Sequence, residues 1–132
     1  MHIALWAVQV LLAVAFTGAG LTKLLKPVAD LAQMNMGGWV TDSPELLIRF
    51  IGLSELLGAI GLIVPSATRI MPKLSGVAAG LLSLVMVLAA ATHLKYGEFQ
   101  SLPANLMLAS LTAFVAWGRL SKMPIEVRTA TA

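Results

Sequence analysis

A chain of 132 residues with 58% hydrophobic and only 11% charged residues stands apart from soluble domains, in which about 25% of residues are charged. With a mean hydropathy of +0.89, so short a chain could not hide its apolar surface from water, which leaves one membrane-embedded domain over 1–132. The net charge of +3 comes without a basic stripe interleaved with aromatics, which argues against nucleic acid as a partner and for the lipid bilayer. The lack of cysteine excludes disulfide exchange, thiolate catalysis and Cys-ligated metal centres.

Taken in chain order, four apolar stretches predict membrane spans at 3–25, 46–65, 70–92 and 102–117, against a need of about 17 to 25 residues for a crossing helix. The first lacks a basic leader and runs into Lys23, Lys26 and Pro27 instead of a small-residue cleavage site, so it reads as a retained span. The connection that follows, KPVADLAQMNMGGWVTDSP, carries Val28, Leu31, Met34, Met36 and Trp39. It predicts a short amphipathic segment at the interface, interrupted by Gly37 and Gly38, with an ordinary loop as the alternative. Pro65 and Pro72 bracket a tight turn, which makes the second and third spans antiparallel neighbours. Gly97 separates the third span from the fourth, and Ser101 before Pro103 resembles a helix N-cap. The expected fold is all-α, an integral membrane four-helix up-down bundle.

Arg69, Lys73, Arg119, Lys122 and Arg128 fall on the side of the bundle that holds the termini. Lys23, Lys26 and Lys95 fall on the other, among Asp30, Asp42, Glu45 and Glu98. The positive-inside rule then places both termini in the cytoplasm, with a bacterial cytoplasmic membrane as the expected location.

Arg49 and Glu55 are the chemically informative pair, because a charge left in hydrocarbon costs at least ~2.5 kcal/mol and therefore marks an interior. Arg49, Gly52, Glu55, Gly58 and Gly61 recur every three residues. An ideal helix sets Arg49 and Glu55 about 9 Å apart along its axis and about 120° apart around it, which favours separate partners on other helices. Lys23, His93 and Asn105 are the candidates. Together these five side chains predict a polar pocket in the non-cytoplasmic half, with Glu55 at its floor, and a structural ion pair that fixes helix packing is the alternative. Gly52, Gly58 and Gly61 on the second span, and Gly76 and Gly80 on the third, predict close helix packing, with a homo-oligomer seam as the other use of such a face. No HExxH or paired-ligand spacing points to a metal.

Phe16, Gly20 and Lys23, then MGGWV with Asp42 and Pro44, RFIGLSELLGAIGLIVP, LVMVLAAATH ending at His93, Asn105, and AWGR ending at Arg119 together resemble the DoxX-like family. The resemblance implies a four-helix membrane bundle. Relatives in the wider superfamily include a membrane subunit of a thiosulfate:quinone oxidoreductase and proteins that assist receptor assembly, so kinship of fold leaves function to the site. Three functions fit these features. The first is a non-enzymatic accessory, assembly or hydrophobic-ligand-binding protein, acting with a membrane protein partner or alone and holding a lipid or quinone. The second is a quinone-handling redox subunit, and the third a small proton or solute transporter.

Overall fold

In a computed structural model that describes residues 1–34 and 38–129, the chain forms helices α1 (His2–Leu25), α2 (Val28–Gln33), α3 (Trp39–Asp42), α4 (Glu45–Thr68), α5 (Lys73–Lys95) and α6 (Leu102–Trp117). A 3-10 turn, Phe99–Ser101, leads into α6 and a π turn, Gly118–Lys122, extends it. Four of these helical stretches, α1, α4, α5 and Phe99–Lys122, are long and apolar enough to cross a membrane. Most of their surface faces outward, which a bilayer tolerates and water does not. The four pack as a ring in chain order. Helix α1 lies chiefly on α4, α4 on α5 and α5 on α6, and a sparser contact between α6 and α1 closes the bundle.

Glycine determines the tightest of these contacts. A Cβ on Gly20 would lie 2.7 Å from the Gly52 carbonyl oxygen, and one on Gly52 would lie 2.8 Å from the Lys23 Cβ, so the backbones of α1 and α4 touch where only hydrogen atoms fit between them. Gly58 receives Leu82 and Gly61 receives Ala78 across the α4–α5 contact, while Gly76 receives Leu120. Gly80 departs from the expected packing role: it is exposed, and a Cβ there would meet nothing within 4 Å. Gly76 already faces the end of α6, and the ~40° drift over four residues carries Gly80 off that face.

Pro65 lies inside α4 and does not end it. Its missing N–H leaves the Gly61 carbonyl without a helical donor, which loosens the ladder without stopping the helix one turn before its end. The turn that follows, residues 69–72, is correspondingly tight, with left-handed backbone at both Arg69 (φ 59°) and Met71 (φ 48°). The tail crosses this turn: the Arg128 amide donates to the Arg69 carbonyl at 2.9 Å, and the Arg69 Nε donates to the Glu126 carbonyl at 3.1 Å. The third span begins at Lys73, three residues later than the apolar run suggests, because Ile70, Met71 and Pro72 make the turn. Gly97 adopts φ +70° as the breaker between α5 and α6. Ser101 does occupy the N-cap of α6 but makes no side-chain cap bond.

Between α1 and α4 the expected amphipathic segment is two short helices. Leu31, Val40 and Ile48 bury each other in a small core beneath Val28 and Trp39. Met34 is exposed, and Met36 and Gly37 lie outside the described residues.

Two substitutions separate packing glycines from incidental ones. Gly20→Ala pushes a methyl into backbone that has no room to yield, and should lower stability by about 1 to 3 kcal/mol or more, as overpacking does. Gly80→Ala should instead leave the thermal midpoint in detergent unchanged or raise it, with up to ~1 kcal/mol from helix propensity. Met71→Gly, which relieves a left-handed non-glycine residue, should raise the same midpoint, by about 1 kcal/mol.

Candidate functional site

The α4–α5 hairpin is closed at the end that holds the termini and open at the other. Gly58 and Gly61 let the two helices meet at Leu82 and Ala78. Beyond them, the larger Leu47, Phe50 and Ile51 of α4 face Val85, Leu88 and Ala89 of α5 across a cavity of about 700 Å³. Trp39 lines it from α3, Gln100 and Ser101 from the 3-10 turn, and Ala104 and Asn105 from α6. Leu47 and Phe50 on one wall and Leu88 on the other are exposed side chains, so the cavity also opens sideways onto the apolar exterior.

Glu55 lines this cavity together with Lys23, His93 and Asn105. The Lys23 ammonium sits 3.0 Å from Glu55 Oε1 and donates to Oε2 at 3.1 Å, and both residues are buried. The pair forms because α1 and α4 touch at Gly20 and Gly52: the Lys23 Cβ packs against Gly52, and the long lysine side chain runs along the antiparallel α4 to Glu55, one turn beyond Gly52. His93, in the last turn of α5, is 2.8 Å through Nδ1 from Glu98 Oε2. Glu98 Oε1 accepts from the Gly38 amide at 2.7 Å. One carboxylate therefore ties the α3 end of the first connection to the α5–α6 turn, over the cavity mouth. Tyr96 joins this contact. Its phenol is raised above 10.0 by desolvation first, then by its hydrogen bond to and the charge of Asp42, and last by the charge of Glu98. Asn105 makes no hydrogen bond through Nδ2, which is buried.

Arg49 does not line the cavity. Its Nη1 donates to the carbonyls of Lys23 and Lys26, each at 2.6 Å, and its Nη2 meets Glu45 Oε1 at 2.9 Å. Carbonyls at a helix C-terminus lack amide partners of their own, so Arg49 caps α1 and locks the α1–α4 contact just above the Lys23–Glu55 pair. A position about 120° around the helix from Glu55 points it toward α1's end and away from α5.

A second buried polar group, at the end with the termini, has no counterpart in the sequence reading. Gln9 Nε2 donates to the Leu62 carbonyl and, at 3.4 Å, to Ser66 Oγ, which in turn donates to Ser75 Oγ at 2.8 Å. Arg119, only 1% exposed, donates through Nε to Gln9 Oε1 at 2.6 Å and meets His2 Nδ1 at 3.0 Å through Nη1. Its guanidinium stacks 5.4 Å from the centre of the Trp6 ring. Arg119 is thus an interior residue that joins α6 to α1 and α4, whereas its place near a span end suggested a charge at the membrane surface. A lone amide at Gln9 inside an apolar run was the available signal. Among the described residues, no three His, Asp or Glu side chains gather as a metal site.

These features define a small integral membrane protein, a four-helix bundle with an ion pair at the floor of a side-opening apolar cavity. The chain belongs to the DoxX-like family, whose model matches residues 7–115. No curated protein and no solved structure matches it.

Breaking the ion pair should cost more than removing it. Lys23→Met or Glu55→Leu alone leaves a charge buried without a partner and should destabilise by about 3 to 5 kcal/mol, whereas the double variant should recover much of that loss. Thermal unfolding of the four proteins in one detergent closes the cycle.

Proposed function

We propose that the protein is a non-enzymatic, hydrophobic-ligand-binding protein of the cytoplasmic membrane, with both termini on the cytoplasmic side. The observation that carries this reading is the cavity between α4 and α5: mostly apolar walls, a small polar end, and a mouth open to the hydrocarbon. Binding sites for small molecules have this make-up, an apolar lining with a few placed polar groups. Such a cavity supports ligand binding over service as an accessory or assembly factor, which asks only for an outer helix face.

Proton or solute transport past Glu55 is less well supported. Phe16, Ala59, Leu62, Leu82 and Met86 form a buried apolar layer between the Lys23–Glu55 pair and the Gln9–Arg119 group, so the two polar regions do not make a continuous path. The orientation rests on Arg69, Lys73, Lys122 and Arg128, all exposed at the end with the termini, which keep the positive excess there after Arg119 is assigned to the interior.

Photolabelling with a diazirine-bearing myristyl chain tests the reading. Labelling should saturate and concentrate on 47–54 of α4 and 85–92 of α5. Ala89→Trp, which fills the cavity, should weaken it about tenfold, the effect of losing ~1.4 kcal/mol of binding. Labelling that never saturates, spreads evenly over exposed positions such as Leu11 and Val14, and ignores Ala89→Trp would refute it.

A further inference from the structure

Resting on the reading of the cavity as a ligand site, we infer that the polar end of its ligand is an uncharged hydrogen-bond acceptor, a carbonyl group, received by Asn105 while the hydrocarbon chain leaves sideways between α4 and α5. The inference follows from which polar groups around the cavity are already engaged. Lys23 is paired with Glu55, and His93 with Glu98. The ionic groups are therefore matched one to one. A charged head would enter without a free counter-charge and would lose its hydration in an apolar site. Two of the wall hydroxyls are engaged within their own helices. Ser54 donates to the Phe50 carbonyl and Thr92 to the Leu88 carbonyl, each at 2.9 Å within its own helix. Asn105 remains. Its Nδ2 is buried and makes no hydrogen bond with the protein, and a buried donor left without an acceptor is costly. A carbonyl oxygen supplies that acceptor and brings no charge. The rest of the space is apolar and continuous with exposed Phe50 and Leu88, which suits an alkyl chain or an apolar ring system attached to the carbonyl.

Competition against the diazirine-bearing myristyl label reads the head group directly. Three competitors of matched chain length are used: a methyl ketone, myristate and myristylamine. The ketone should displace the label at about tenfold lower concentration than either charged amphiphile. Asn105→Leu, and the smaller Asn105→Ala, should abolish that preference while the label itself still binds, and Asn105→Gln, which keeps the donor, should retain it. The inference is overturned if myristate or myristylamine competes as well as the ketone, or if the ketone keeps its advantage in both Asn105→Leu and Asn105→Ala. Saturable labelling with no head-group preference would leave the cavity as a ligand site and overturn only the carbonyl, whereas the absence of saturable labelling would overturn both.

Discussion

The contact of Gly20 with Gly52 is the constraint on which the rest of the outer half of the bundle depends. With a Cβ at either position meeting backbone or Lys23 Cβ at under 3.0 Å, the backbones of α1 and α4 touch, and Lys23, seated on Gly52, spans the short distance along α4 to Glu55. Their attraction does not draw the helices together so much as make a tight crossing tolerable, because two charges held in a bilayer need each other more than they need any particular place. Arg49 strengthens the same crossing by capping the carbonyls at the end of α1. Three polar residues and two glycines thus define one rigid corner.

The α4–α5 hairpin has the opposite character. Its glycines, 58 and 61, lie in the half nearest the turn, and the residues that follow toward the far end are large. Close approach in one half and bulk in the other make the helices diverge. The divergence leaves room that the rigid α1–α4 corner cannot fill, and Glu55 is at the point where corner and gap meet. The distribution of glycine along α4 therefore sets both the depth of the cavity and the group found at its base. At the other end, the Gln9–Ser66–Ser75 chain and Arg119 make a second cross-link among all four long helices, so divergence at one end is anchored by polar contacts at the other.

Much of this arrangement was legible in the sequence. The four spans follow from long apolar runs and from the charges and breakers between them, and depth alone groups Lys23, Glu55, His93 and Asn105. Depth does not determine direction. Arg49 shares the level of the cavity but points toward the end of α1, and only its angle around the helix, not its height, carried that information. Gly80 fails for the same reason, since spacing from Gly76 predicts a shared face and a drift of one-ninth of a turn is enough to leave it. Proline disrupts a helix interior and so predicts a stop at Pro65, but close to the C-terminus few bonds remain to be lost. Gln9 and Arg119 were least legible: they are 110 positions apart in sequence, and nothing local in either segment names the other.

Arg119 shows how this bundle stabilises a charge without an acid. Its contacts are an amide oxygen, an imidazole nitrogen and an indole face, all neutral when His2 is unprotonated, and each offers partial negative charge to the guanidinium. Gln9 is held in turn by the Leu62 carbonyl, which accepts from its Nε2 and leaves the amide oxygen turned toward Arg119. The wider turn of Gly118–Lys122 completes the arrangement by carrying Arg119 inward beside Gly118, on which the end of the Leu5 side chain rests. The irregularity after α6 and the Gln9 amide of α1 thus converge on one side chain, which explains why a residue at the end of a span can be as deeply buried as one at its centre.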